Sequence, residues 1–160
     1  MTALAAALVA DARAFLGSDY LSKISRCLDE LGEDDVWWRA NAESNSIGNL
    51  ILHLDGSTRM WVIGVAGGRP VARDRDGEFA ARGALSKSEL LAHLRATLAE
   101  ADVVLAELDP AVLLERRQIR GREVTVLWAI VHAVEHFAMH TGQIITLTKL
   151  RTGKGLHLER

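Results

Sequence analysis

The sequence is poor in cysteine, and this scarcity sets the first limits on its chemistry. Cys27 is the one cysteine among 160 residues. A single thiol excludes an internal disulfide and any cysteine-rich metal site, and it is typical of proteins from a reducing compartment. We therefore expect a cytoplasmic protein in which Cys27 packs in the core.

An excess of positive charge is also missing. The 19 basic and 21 acidic residues give a formal net charge of −2. No stripe of lysine and arginine is present that could follow a phosphate backbone. The apolar N-terminal stretch lacks a basic leading segment and is interrupted by Asp11, so we expect neither a signal peptide nor a membrane span. The composition thus argues against nucleic-acid and membrane partners.

Apolar residues are abundant and recur with helical spacing. They make up 49% of the chain, which is enough for the core of one domain covering residues 1–160. The spacing predicts four long helices, over about 3–31, 46–66, 86–108 and 125–151. Residues 114–125 are expected to form a small hairpin or an extended loop before the last helix. The sequence therefore predicts an all-α protein.

Three histidines recur at four-residue steps in the last helix, at His132, His136 and His140. Side chains at this spacing share a helix face, and two such imidazoles can bind one metal ion. The glutamate that acts as base in the zinc-binding HExxH helix is missing here, so the chemistry must differ. Each histidine alone is better explained as an ordinary core or surface residue, but the cluster favours a metal site.

A third imidazole can come from the second predicted helix, which contains His53. Most residues on the same helix face are small or polar, among them Asn49, Gly56, Ser57 and Gly64. Glycine inside a helix costs about 1 kcal/mol relative to alanine. Gly56 and Gly64 therefore indicate that space is needed beside His53, and we expect that space to admit a substrate.

These motifs resemble the signature of the DinB-like superfamily, also called the DinB/YfiT-like metalloenzymes. That signature is one histidine on the second helix and HxxxHxGQ on the last, which here reads His136-Phe-Ala-Met-His140-Thr-Gly142-Gln143. The resemblance extends over most of the chain and points to an uncharacterised branch, through the segments Glu43–His53, Arg73–Phe79 and His140–Lys149. It implies a four-helix bundle, a homodimer, and a metal bound by His53, His136 and His140.

The resemblance also implies a function. Characterised relatives in the superfamily include thiol S-transferases and a thiol-dependent isomerase, which use low-molecular-weight thiols such as mycothiol, bacillithiol or glutathione. We therefore expect a metal-dependent enzyme that joins such a thiol to a small electrophile. Two alternatives stay open, a non-catalytic dimer that binds a metal or small ligand and a metal-dependent hydrolase.

Three neutral imidazoles would leave one coordination position of a bound ion open. Zinc is the first expectation, although nickel, iron and manganese also accept imidazole ligands. No serine or cysteine nucleophile with its own base is evident, so we assign no catalytic side chain and expect metal-bound water or thiolate to react. Metal binding should weaken as the pH falls through about 6.5, where protons compete for imidazole.

Further residues are expected near the metal or in a substrate pocket, namely His132, Gln143, Ser57, Asn49 and Trp61. His132 has no ligand role in the DinB-like pattern, and Gln143 can form hydrogen bonds on the histidine face. The charged run from Arg73 to Asp76 fits a solvated loop better than a clamp for an anionic thiol. The last helix is apolar on nearly all sides, which either a second subunit or the other three helices could cover.

Overall fold

The structure is a computed structural model that describes residues 2–83 and 85–158. Its four long helical segments form the predicted all-α four-helix bundle. The first segment consists of α1 (Thr2–Ala14), a π-helical turn (Phe15–Tyr20) and α2 (Leu21–Asp29). The second consists of α4 (Ile47–Thr58) and a π-helical extension (Arg59–Ala66). The third and fourth are α6 (Lys87–Glu107) and α7 (Val126–Thr152).

Shorter elements connect these helices. Helix α3 (Glu33–Val36) follows α2, helix α5 (Arg75–Ala80) precedes α6, and a 3-10 turn (Pro110–Leu114) follows α6. Strands β1 (Arg116–Ile119) and β2 (Arg122–Thr125) pair antiparallel, so the predicted segment before α7 is a hairpin rather than an extended loop. No helix in the described ranges is long and apolar enough to cross a membrane.

Side chains at the helix starts explain where the long helices begin. The Ser46 and Ser86 hydroxyls accept hydrogen bonds from the backbone N–H groups of Asn49 and Glu89, and each pair forms a capping box. Thr125 caps α7 in the same way, and Gly153, at φ 69°, ends that helix in the left-handed conformation. The predicted starts of the second and third helices are therefore confirmed.

Helix α7 packs against α2, α4 and the π-helical extension of α4. Its side chains Ile130, Phe137 and Ile144 are almost fully buried, and Cys27 of α2 is fully buried, as expected. This packing brings one face of α4 against the histidine face of α7. The bundle core thus positions the residues described next.

Candidate metal centre

Three imidazoles converge where α4 packs against α7. The Nε2 atom of His136 lies 3.0 Å from Nε2 of His53 and 3.1 Å from Nε2 of His140. All three ligand atoms lie within 4.8 Å of one another. His53 and His140 are buried, and His136 is half-buried. The structure thus brings together the three histidines that the sequence singled out, in a group that could hold a metal ion.

Hydrogen bonds at Nδ1 fix the orientation and the tautomer of two rings. His53 Nδ1 lies 2.8 Å from Glu78 Oε2, and His140 Nδ1 lies 2.6 Å from Gln143 Oε1. Both oxygens are acceptors. Arg73 Nη2, a donor, also lies 3.0 Å from His53 Nδ1, but the contact of Nδ1 with the Glu78 carboxylate is shorter, so we assign the proton to Nδ1 in both rings. The Nε2 atoms of His53 and His140 are therefore left as bare lone pairs on the side that faces His136.

This arrangement of lone pairs fits a cation. If His136 is neutral, its Nε2 carries at most one proton and cannot complete hydrogen bonds to both neighbouring rings. A divalent ion accepts all three lone pairs at once, and metal-bound histidines commonly donate their other N–H to a carboxylate or carbonyl oxygen. The donor set and its supporting bonds therefore match a three-histidine metal site.

Glu78, which orients His53, is itself held by Arg73. The guanidinium forms two bonds to the carboxylate, Nε to Oε1 at 2.6 Å and Nη2 to Oε2 at 2.8 Å. Both side chains are less than a tenth exposed. Burial acts to raise the pKa of Glu78, but hydrogen bonds from Arg73 and His53 outweigh it and hold the pKa below its ordinary value. Glu78 is thus an anion at neutral pH.

Gly56 provides the space for this ion pair. A Cβ atom at position 56 would lie 2.9 Å from both Arg73 Nε and Glu78 Cδ, and closer still to Glu78 Oε1. The expectation that a substrate occupies this space is therefore wrong at Gly56, because Glu78 fills it. At Gly64 a Cβ atom would lie 2.8 Å from Val71 Cγ2, so that space is taken by packing.

Asn49, expected near the metal or in a substrate pocket, is not among the residues that line the cavity. Its amide nitrogen donates to the backbone carbonyls of Glu78 and Ala81, at 2.8 and 3.1 Å, and its oxygen accepts from Ser46 and Arg39. A fully buried amide needs these partners, since an unpaired one would be costly. Asn49 therefore fixes the segment that carries Glu78.

Sequence reasoning gave no role to Glu78 and placed Arg73 in a solvated loop, which is wrong. Asp74 caps α5 by accepting a hydrogen bond from the Gly77 backbone N–H, and the short helix turns Glu78 toward α4. The sequence signal for this role is weak. The spacing of Asp74 and Gly77 predicts the start of a helical turn, but it does not indicate that Glu78 contacts α4. The segment Arg73–Phe79 was notable only as part of the DinB-like resemblance.

An open cavity of about 470 Å³ borders the histidines. Its lining residues are His53, Ser57, Met60, Trp61, Arg73, Arg75, Ile119, Arg120, Arg122, Trp128, His132, Glu135 and His136. Of the expected pocket residues, Ser57, Trp61 and His132 are present. Gln143 lines a separate surface depression instead.

His132 forms part of the cavity wall rather than joining the three converging imidazoles. Its ring stacks on Trp128, with centroids 4.7 Å apart and an interplanar angle of 14°, and meets the edge of Trp61. Its Nδ1 atom lies 2.8 Å from Glu135 Oε1. These contacts hold the ring beside the open cavity.

Burial lowers the pKa of two of the three candidate ligands, His136 and His140. Desolvation, followed by the charges of His140 and His53, lowers the pKa of His136 to about 3. Desolvation also lowers the pKa of His140, although its bond to Gln143 acts in the opposite direction. Neutral imidazole is the form that binds a metal, so protons compete less at these two ligands than the sequence-based expectation of about pH 6.5 assumed.

This gives a prediction for the pH dependence of metal binding. Three ordinary imidazoles would lose about a thousandfold in affinity between about pH 5.5 and 4.5, one factor of about ten each. We expect zinc affinity to fall by less than about a hundredfold there, because His136 stays unprotonated down to about pH 3. Competition with a chelator of known affinity at each pH measures this, with circular dichroism to check folding. A thousandfold loss by a folded protein would contradict it.

Comparisons with known proteins agree with this architecture. A DinB-like protein from Bacillus subtilis has a similar crystal structure, with a TM-score of 0.69 at 16% identity, covering 96% of this chain and 95% of that one. A DinB-like protein from Bacillus cereus matches with a TM-score of 0.67 at 14% identity, covering 87% and 89%. At these identities the likeness shows a shared fold. No functionally curated protein matches the sequence.

A family-level match is more specific. Residues 13–152 match the sequence model of the mycothiol-S-transferase family. The matched range contains His53, His136 and His140, together with Arg73, Glu78 and the hairpin. The chain shares its fold with the two DinB-like proteins and belongs to the mycothiol-S-transferase family.

Proposed function

We propose that the chain is a metal-dependent thiol S-transferase that joins a low-molecular-weight thiol to a small electrophile. The observation that carries this proposal is the convergence of three Nε2 lone pairs beside an open cavity. Mycothiol is the first thiol to test, because the chain belongs to the mycothiol-S-transferase family. Zinc is the first metal to test, with nickel, iron and manganese as the alternatives.

A divalent ion held by three neutral imidazoles would keep its full charge and lower the pKa of a coordinated thiol, so that the thiol reacts as a thiolate. The protein's own residues prepare this site. Glu78 and Gln143 hold the protons of His53 and His140 at Nδ1, which leaves each Nε2 free as a ligand. Arg73 keeps Glu78 ionised and in place.

The cavity wall supplies the place for the second reactant. Trp61, Trp128 and His132 form a wall of ring faces and edges beside His136. Such a wall offers an apolar surface to a small electrophile. The family match and this wall favour transfer over hydrolysis, and hydrolysis is therefore treated as an outcome of the test.

The test combines a spectroscopic and a kinetic measurement. Protein loaded with cobalt should develop an intense near-ultraviolet charge-transfer band when mycothiol is added, which water or carboxylate ligands do not produce. Conjugation of mycothiol to a chromogenic electrophile should require metal and should be abolished in His140→Ala. The control Cys27→Ser should keep activity, because Cys27 is fully buried in α2.

Other outcomes would replace the proposal. Metal-dependent cleavage of esters or amides without any thiol effect would favour a hydrolase. A bound metal with no thiol band and no turnover would favour a non-catalytic metal-binding protein.

We also propose that the protein forms a homodimer. Leu4, Phe15 and Val131 border one apolar groove between the first helical segment and α7, and each is more than two fifths exposed. A second subunit packed on this groove would remove the apolar surface from water. The cytoplasmic location remains a prediction from the low cysteine content.

A further inference from the structure

Three arginines stand at the edge of the cavity that borders the histidines. Arg75 belongs to α5, and Arg120 and Arg122 belong to the hairpin between β1 and β2. We call these three residues the arginine rim. None of them forms an ion pair within 4.0 Å with an acidic residue in the described ranges 2–83 and 85–158. This distinguishes the rim from Arg73, whose charge is matched by Glu78.

Aromatic rings position two of the three rim arginines without neutralising them. The guanidinium carbon of Arg122 lies 4.3 Å from the ring centroid of Trp128 and 5.1 Å from that of Trp61. The guanidinium of Arg75 lies 5.0 Å from the ring of Phe79. Contact between a guanidinium and an aromatic ring fixes the cation while its N–H groups stay available to donate hydrogen bonds to a ligand.

The hairpin turn provides a second, independent observation. Arg120 and Gly121 are the two turn residues, and both have positive φ, 49° and 77°. A two-residue turn of this kind favours asparagine or glycine at its first position, because a longer side chain is disfavoured there. Arginine at this position is thus a poor choice for the turn itself. It does, however, put a guanidinium on the lining of the cavity.

The cavity lining therefore carries a net positive charge. Arg73 is matched by Glu78, and against the three arginines of the rim the lining sets one carboxylate, that of Glu135, which accepts a hydrogen bond from His132. A metal ion at the histidines would add further positive charge. A neutral reactant would leave the three guanidinium groups of the rim without an anionic partner, whereas an anionic group would form charge-assisted hydrogen bonds with them.

We propose that the arginine rim binds an anionic oxygen group, tested below as a carboxylate, on one of the two reactants of the transfer. This inference rests on the proposed function for the identity of the reaction, although the binding itself requires neither metal nor thiol. The rim would act as a specificity device that selects charged reactants and points their other end toward His136.

The first experiment measures binding without a thiol. Calorimetry compares 4-chloro-3-nitrobenzoate with the uncharged 4-chloro-3-nitrobenzamide, on metal-free and on zinc-loaded protein. The carboxylate should bind at least about tenfold more tightly to both forms, because charge-assisted bonds to a guanidinium are the stronger class. The double variant Arg120→Gln and Arg122→Gln should remove this preference. The matched control Arg116→Gln should keep it, because Arg116 lies on the same hairpin but pairs with Glu123 outside the lining.

A second pair of probes asks which reactant carries the charge. In this pair the thiol carries the charge. Calorimetry compares 3-mercaptopropionate, which has a carboxylate, with the uncharged 3-mercapto-1-propanol. A preference for the charged member that depends on the rim in either pair supports the proposal and identifies the source. Equal binding within both pairs would overturn it, as would an equal loss of preference in Arg116→Gln. Failure to bind metal or thiol would contradict the proposed function instead.

Arg120→Asn separates ligand binding from folding. Asparagine suits the first position of the turn, so this variant should melt at the same or a higher temperature than the parent protein. It should nevertheless bind the charged probe less tightly. If it were more stable and also kept the full preference, Arg120 would have no part in the anion site.

Discussion

Replacing His136 by alanine is expected to abolish tight metal binding. The Nε2 atom of His136 lies between those of His53 and His140, within 3.1 Å of both. Removing it leaves two imidazoles on different helices, which cannot enclose an ion. Loss of a supporting residue outside the ligand set typically costs about 10- to 100-fold in metal affinity, and loss of a ligand should cost more.

The measurement is the metal content of protein purified without an affinity tag, together with chelator competition. His93→Ala is the matched control, because His93 is an exposed histidine on α6 away from the site. His132→Ala should also retain metal, since its ring packs on Trp128 instead of joining the three ligands. Full metal occupancy in both His136→Ala and His53→Ala would show that the site is assigned to the wrong residues.

Glu78→Gln is expected to weaken both folding and metal binding. Glutamine keeps the shape of the side chain but removes the charge, so the buried guanidinium of Arg73 loses its counter-ion. Breaking a buried ion pair from one side costs about 3 to 5 kcal/mol in the free energy of unfolding. His53 also loses the anionic acceptor of its Nδ1 proton, so metal affinity should fall by about 10- to 100-fold.

A double variant separates these two effects. In Glu78→Gln with Arg73→Met, no charge is left buried without a partner, so much of the stability measured by urea unfolding should return. Metal affinity should stay low, because the carboxylate that orients His53 is still missing. If affinity returned together with stability, Glu78 would serve only to hold α5 in place. If Glu78→Gln alone lost neither stability nor metal affinity, the ion pair between Arg73 and Glu78 would contribute to neither property.

Membership of the mycothiol-S-transferase family and the geometry of the site support each other but answer different questions. The family match concerns the chain as a whole and favours a thiol reaction. The geometry concerns individual atoms and shows which side chains could hold a metal, which ones orient them, and which ones surround the adjoining cavity. The arginine rim concerns the choice of substrate, a question that the family match leaves open.

Local spacing was sufficient to predict the four long helices and the shared face of His136 and His140. Helical periodicity, serine caps and four-residue histidine steps depend on residues a turn or two apart, so they can be read directly from the chain. His53 was an intermediate case. Its helix could be predicted, and small neighbours marked its face, but the DinB-like resemblance was needed to join it to a motif 83 residues away.

The tertiary structure alone decided how that site is supported and what surrounds it. Glu78 reaches His53 across 25 residues, and it can do so because Gly56 has no Cβ atom in the way. The hairpin likewise brings Arg120 and Arg122 to the cavity only after β1 and β2 pair and α7 packs on α4. Such contacts depend on how elements that are distant in sequence pack against each other. The spacing of residues within one helix or strand does not indicate which other element it will contact.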